Sequence, residues 1–395
     1  MSVKKVTEKI VSGAIACSGF VTSVAILLIV VFLFSEGLGL FSQKTIEEGY
    51  ALVVNKGNPV DELDARQIKE VFDEDVINWR QVGGEAGPIM VFRFEDLPRH
   101  VSGERLGPGY ENAAACIDSI VGANRGIIAF VPEEFAGGSA GKALRAHRIS
   151  PGEVLGGSEW FPTATPAAQF GFLPLVLGTV WVTVFAILFA LPFGLSVAIY
   201  MSEVASARMR NVLKPVIELL SGIPSVVYGF FGLIVVVPLL QNVFGLPVGE
   251  SGLAGAIVLA VMALPTIITV SQDAMQNCPR SQREASLALG ASRWQTIYRV
   301  VMPYSISGIT SAVVLGIGRA FGETMAVLMV TGNAAVIPLA ITDPLRTIPA
   351  TIAAELGEAP AGGAHYQSLF LLGVVLFFIT LAINSCVEYI SSKNR

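Results

Sequence analysis

Six stretches of the chain are apolar for long enough to cross a bilayer, at roughly residues 10–34, 173–200, 216–240, 252–275, 303–332 and 366–391. A helix needs about 20 such residues to span the hydrocarbon. Between the first and second stretches the pattern changes. Residues 43–168 mix short apolar groups with charged residues and Gly/Pro turns, and they are enough for a separate domain. Within them Val53-Val54 precedes a turn at Asn58-Pro59, and an amphipathic helix fits Leu63–Phe72. The alternation Ile89–Phe94 predicts a strand, residues 111–121 a helix, and Ile127–Val131 a further strand. That is an α/β pattern. The run WFPTATPAAQF, residues 160–170, is rich in Pro, Ala and Thr and predicts a linker into the second span. The expected fold class is an all-α polytopic membrane protein with an inserted α/β domain.

Composition agrees with this division. Only 14% of residues are charged and the mean hydropathy is +0.64, whereas soluble domains carry about 25% charged residues. The net charge of −5 is uninformative until it is divided among the loops. Basic residues collect at Lys4, Lys5 and Lys9, at Arg208, Arg210 and Lys214, at Arg280, Arg283, Arg293 and Arg299, and at Lys393 and Arg395. The alternate loop 241–251 has no Lys or Arg, and 333–365 has only Arg346. Cytoplasmic loops are enriched in Lys and Arg, so both termini are expected in the cytoplasm and residues 43–168 outside. The first apolar run is too long for a signal peptide and no A-x-A site follows it, so it is expected to stay as span one. The cysteines (Cys17, Cys116, Cys278, Cys386) stand apart and only three histidines are present. Neither a metal site nor a disulfide framework is expected.

The basic stretch between spans four and five is built as helix, turn, helix. Ser281-Gln-Arg-Glu284 has the form of a capping box, in which the serine takes one free helix N–H and Glu284 reaches back to another. Gly290 can take the left-handed conformation that ends a helix. Ser292-Arg-Trp-Gln295 offers a second box, and Trp294, Ile297, Tyr298 and Val301 recur at helical spacing before Pro303. Two uses fit such a segment: an amphipathic hairpin on the inner leaflet, or an element that docks a protein.

The spacing Glu284-Ala285-Ser286, three residues, Gly290, nine residues, Val300-x-Met302-Pro303 resembles the EAA loop of ATP-binding-cassette importer permeases. That pattern runs E-A-A, three residues, G, nine residues, I-x-L-P; Ser286, Val300 and Met302 are mild departures. The resemblance implies the type I importer permease fold over residues 169–395, after an N-terminal helix in 1–42 and the insertion. It also implies that 281–302 is a coupling helix seated in a cytoplasmic ATPase, with Glu284, Ala285, Gly290, Ala291, Trp294 and Pro303 as coupling residues. Leu287, Ala291, Trp294 and Tyr298 would face the partner or the bundle. Glu284 has a capping role to offer as well as an ATPase contact. A rigid lever continuous with span five can carry ATPase closure into the membrane.

Candidate transport chemistry lies in three places. Arg319 and Glu323 are four apart in the fifth apolar run and are expected on one helix face. Ionisable residues at such depth usually pair or line a pathway. They are either a structural ion pair, or an anion contact by Arg319, whose guanidinium can fork onto two oxygens, with Glu323 holding it when the path is empty. The other two are the Gly/Pro interruptions Ser221-Gly-Ile-Pro224-Ser225 and Ala263-Leu-Pro265-Thr266, which serve transport sites or packing kinks. The stretches SGIPSVVYGFFGL, GRAFGETMAVLMVTGN and RTIPATIAAELGEA are similar to the permease subunits of high-affinity phosphate importers, and the likeness runs over most of 170–395. It implies phosphate as the substrate, and the candidate pathway residues are Arg319, Glu323, Thr324, Ser225, Pro224 and Thr266. It also implies partners: a sister permease, two ATPase subunits that bind ATP and Mg²⁺, and an external phosphate-binding protein. No cofactor in this chain and no nucleic-acid partner are expected, and membrane lipid surrounds it. Another oxyanion, molybdate or sulfate, is the alternative substrate. A membrane ligand sensor would need a cytoplasmic output domain, and the chain has only short loops and tails for one.

The insertion resembles part of a phosphate-binding protein in NKGNPV, in QIKEVF and INWRQVGG, in Ser102-Gly103 after Arg93, and in NRGIIAFV. Glu104 stands where that family has threonine and would repel an anion, and the segment is too short for two lobes. A degenerate lobe used for docking or stability is the expectation over a working site. Two phosphate-loop look-alikes fail on their residues: Gly137–Lys142 is flanked by Ala136 and Ala143, and Gly316-Ile-Gly318 has Phe321 in place of the third glycine.

Overall fold

The computed structural model describes residues 3–393, with side chains for 11–389. The terminal basic side chains used above for orientation, Lys4, Lys5, Lys9, Lys393 and Arg395, lie outside the described residues and side chains. The chain divides into two compact units: the first comprises residues up to Gly37, Leu173–Ala361 and Leu369 onwards, the second Leu38–Phe172 with Gly362–Ser368.

Among the described residues, six helices are long and apolar enough to cross a membrane. Span one is Val3–Gly39, span two Leu173–Ile199 continued by a wide π turn Tyr200–Val204, and span three Ser225–Phe244. Span four is Gly252–Gln276, span five Arg293–Phe321 and span six Ala364–Lys393. Span two turns a face of Gly178, Ala186, Ala190, Gly194 and Ala198 inward, and span four answers with Ala254, Gly255, Ala256, Ala260 and Ala263. Small residues let helix backbones approach closely where lipid supplies no hydrophobic drive between helices. The same logic joins spans four and five, where a Cβ on Gly308 would lie 2.3 Å from that of Ala274. The first-turn N–H groups of span four, which no helical carbonyl can reach, find other acceptors: Gly252 donates to Asp343, Leu253 to Ile341 and Ala254 to the Ser251 hydroxyl. Span one leans on span six through Phe32–Phe370 and Phe34–Phe378 edge contacts, while Phe20 and Leu28 stay exposed.

Two of the apolar stretches are interrupted by a break in the helix. Residues 216–221 belong to a separate amphipathic helix, Ala207–Ser221, capped by Ser206. Pro224 is extended (ψ 143°) and starts span three afresh, because the residue that should continue the ladder has no N–H. Span five likewise stops at Phe321; Gly322-Glu323-Thr324 breaks the helix, and a short helix Met325–Val330 follows.

The second unit is a three-layer α/β structure. A four-stranded sheet runs in the order β2-β3-β1-β4, with β1 Tyr50–Asn55, β2 Met90–Arg93, β3 Ile127–Pro132 and β4 Gly141–Ala143. β2 and β3 are parallel, and β1 pairs antiparallel with both β3 and β4. Helix Ala65–Phe72 covers the face carrying Leu52, Val54, Ile128 and Phe130. Helix Ala113–Ala123 covers Val53, Ile127, Ala129 and Val131. Burial on both faces explains why β3 reads as an unbroken apolar run. The expected helices and strands are present; the short β4 lacked a readable pattern.

The linker expectation for residues 160–170 is overturned. β5 Trp160–Phe161 and β6 Gln169–Phe170 form a hairpin, and Trp160 is fully buried against Phe170 and Phe172. Burial of these aromatics outweighs the turn-like composition between them. Trp160→Ala is expected to destabilise this unit by about 3–5 kcal/mol, seen as a lower denaturant midpoint for its protection from protease.

The Gly137–Lys142 loop has its own use. Asp118 accepts hydrogen bonds from the Ala140 N–H (2.7 Å) and the Ser139 hydroxyl (3.0 Å). These bonds, that from Ala140 foremost, hold its carboxyl below the usual carboxylate value. A lowered value means the contribution is complete above about pH 4, where the unfolded group is ionised. It is lost as pH falls through the folded value. Asp118→Asn should therefore flatten the acid dependence of this unit's protease resistance below about pH 4.

Candidate functional site

The segment after span four is shaped by its glycine. Helix Arg280–Ala288 ends at Leu289, Gly290 sits at φ +85°, and Ser292 starts the next helix. The second capping box forms as expected: Ser292 Oγ accepts from the Gln295 N–H at 3.2 Å, and Gln295 Oε1 from the Ser292 N–H at 2.8 Å. The first box does not form. Helix Arg280–Ala288 starts two residues earlier than that box requires, with Pro279 as its cap and no side-chain cap bond, so Ser281 lies inside the first turn and Glu284 and Ala285 are exposed.

The second helix runs without interruption from Arg293 through a π turn Ile297–Val301 and exposed Pro303 into span five. Its apolar residues divide between two surroundings. Ile297 and Val301 are buried, while Trp294 and Tyr298 are 67% and 74% exposed; on the preceding helix and turn Leu287 and Leu289 are exposed as well. Ala291 is half-buried. Large aromatic and aliphatic groups together on a surface mark a site of contact.

At the far end of span five, Arg319 and Glu323 do not share a helix face, because the helix ends between them. Arg319 Nη1 is 3.5 Å from the Thr266 hydroxyl of span four. The Glu323 carboxylate instead accepts from the Ala326 N–H at 3.1 Å, capping the short helix. The expected pairing of these two charges is thus replaced by two separate contacts. Thr324 bonds the Gly322 carbonyl at 3.3 Å. Met325–Val330 packs on the start of span three, where a Cβ on Gly229 would lie 2.9 Å from Ala326 Cα. Ser225 is half-buried at that start, after exposed Pro224. The structure therefore unites Arg319 with Thr266. It places Glu323 and Thr324 at the break, and Ser225 and Pro224 on the span that supports the short helix.

Sequence reading missed the hydroxyls around this break. Thr179 and Thr183 lie one turn apart on span two and, with Thr347 and Glu323, line a tight interior seam. Thr179 accepts from the Ile348 N–H at 3.0 Å, whereas the Thr347 hydroxyl is buried without a partner. Two threonines four residues apart in an otherwise apolar span were the available signal.

A bundle of apolar spans, two of them bounded by breaks, with a half-buried Arg319 and a helix–glycine–helix segment leading into span five, is the build of a membrane transport component. A family model described as binding-protein-dependent transport system inner membrane component matches residues 190–395. The chain belongs to that family, and is accordingly a multi-pass inner-membrane transport component. It is 42% identical over 261 residues to the "Probable ABC transporter permease protein YqgH" of Bacillus subtilis, covering 66% of this chain and 84% of that one. It is 37% identical over 254 residues to the phosphate transport system permease protein PstC of Mesorhizobium japonicum, covering 60% and 76%. Among solved structures, an inward-facing MetNI methionine ABC transporter chain is similar at 18% identity and a TM-score of 0.45, covering 57% of this chain and 97% of that one.

Proposed function

We infer that this chain is a permease subunit of an ATP-driven phosphate importer, forming half of the transmembrane pathway. The observation that carries the transport mechanism is the continuity of one helix from the exposed lever to Arg319. The likeness to phosphate permeases supplies the substrate. The chain works with a PstA-like sister permease, two PstB-like ATPases and a PstS-like binding protein. ATP and Mg²⁺ are held by the ATPases, and this chain contributes no ATPase site or cofactor.

In this reading the basic loops and both termini are cytoplasmic, and residues 43–168 are extracytoplasmic. The lever presents Glu284, Ala285, Leu287, Ala291 and Trp294 to an ATPase, Gly290 sets the angle, and Pro303 lies where the lever joins span five. Arg319, with Thr266 beside it, contacts the anion. Glu323 and Thr324 hold the break open to the path, and Ser225 and Pro224 line the facing span. The insertion serves docking or stability; Glu104, exposed on the short helix Gly103–Leu106, supports this over phosphate binding.

Uptake of radiolabelled phosphate by the reconstituted complex tests the assignment. Arsenate, which shares the charge and protonated oxygens of phosphate, should compete within about tenfold of phosphate itself. Sulfate and molybdate, lacking those donors, should not. Preferential uptake of either would move the assignment to another oxyanion.

A further inference from the structure

Helix Arg280–Ala288 buries none of its residues. Only two of its positions are even half-buried, Arg283 and Ser286. A helix without an apolar anchor takes its position from whatever directional contacts it makes, and these two side chains make them. Ser286 Oγ is 3.0 Å from the hydroxyl of buried Thr296, tying the helix to the base of span five. Arg283 reaches the other way. Its Nη2 donates to the Met275 carbonyl at 2.7 Å, in the last turn of span four, and lies 3.0 Å from Glu203 Oε1, in the π turn that ends span two.

We propose that Arg283 is a positioning residue for transport: a joint through which the lever holds, and moves, the ends of spans two and four as well as span five. This rests on the lever reading above. Four observations support it beyond simple surface pairing. The side chains are largely withdrawn from solvent, at 23% for Arg283 and 10% for Glu203, so solvent screening is weak compared with an exposed pair. Glu203 is itself fixed, accepting from the Ser202 hydroxyl at 2.8 Å. The turn that carries it is also held: Arg210 donates to the carbonyls of Met201 (2.9 Å) and Ser202 (3.1 Å). A cation on the carbonyl end of span four further matches the helix dipole. One guanidinium thus joins the ends of spans two and four to a helix whose other half-buried side chain, Ser286, ties it to span five.

The test uses the reconstituted complex with two variants of this chain. Arg283→Met combined with Glu203→Met replaces the ion pair by an apolar pair, a change that is often neutral for folding where removal of one partner is not. Glu203→Gln keeps an acceptor for Ser202 and Arg283 and removes the charge. A photo-reactive residue at Leu289, which is 90% exposed, reports ATPase contact in each complex. The expected result is an intact cross-link and continuing ATP hydrolysis, with phosphate imported per ATP reduced about tenfold in the double variant and about threefold in Glu203→Gln. Arg283→Lys should recover at least half of the coupling, since both contacts share one nitrogen. Unchanged phosphate per ATP in the double variant overturns the joint. Should that variant fail to assemble, unchanged coupling in Glu203→Gln overturns it alone. Absence of the Leu289 cross-link in the otherwise unaltered chain overturns the lever reading instead.

Discussion

Gly290→Val is expected to cut phosphate import severely while the complex still assembles, the largest effect expected of any single change in the lever. Gly290 holds φ +85° with nothing within 4 Å of the position a Cβ would occupy. A larger side chain therefore meets no neighbour, and the penalty is purely conformational. A left-handed residue with a Cβ costs about 1–2 kcal/mol, and a β-branched one is a genuine outlier there. The chain can relieve that strain only by turning helix Arg280–Ala288 away from the helix that begins at Arg293. Import should fall at least about tenfold, a typical size for loss of coupling between sites. Gly290→Asn, which tolerates the left-handed region, should keep most of it. Uptake into vesicles beside size-exclusion of the purified complex separates lost coupling from lost assembly. Wild-type import by Gly290→Val would show that the turn does not set the lever.

Arg319→Gln is expected to reduce import by about 10²-fold with assembly intact. Glutamine can still hydrogen-bond Thr266, so the contact between spans four and five at 3.5 Å has a neutral substitute. The charge and the planar fork that suit a phosphate are lost. An ionised side chain among apolar spans costs about 2.5–3.5 kcal/mol to insert, so the variant should be no less stable than the original. That is why transport, and not stability, is the discriminating measurement. Persisting import would remove Arg319 from the pathway. Glu323→Ala should behave differently: it frees the Ala326 N–H and weakens the short helix by about 1 kcal/mol, an effect on local order that hydrogen exchange at Met325–Val330 would register.

Much of this architecture was legible in one dimension. Apolar run length located all six spans, since bilayer thickness sets a length that composition alone can meet. The helix–glycine–helix lever was legible because capping and left-handed turns are local chemistry: Gly290 and the Ser292–Gln295 box each act within four residues. The sheet strands of the second unit were readable from alternation for the same reason.

The errors share a cause. Hydropathy does not report whether the backbone ladder is continuous, so span three was started nine residues early and span five was carried past Phe321. Arg319 and Glu323 then looked like neighbours on one face, although the helix between them ends at Gly322. The Ser281–Glu284 box failed because the chain had already entered the helix at Arg280. Residues 160–170 looked like a linker because Pro, Ala and Thr surround the aromatics that bury them.

The sequence alone therefore determined how many spans there are, where the lever lies and which glycine bends it, because each depends on residues adjacent in the chain. Only tertiary structure decided which groups meet. Met325–Val330 packs against span three after the fifth helix ends at Gly322, and Glu323 caps that short helix instead of pairing with Arg319. The Arg283–Glu203 contact joins residues eighty apart, a distance at which no local pattern operates.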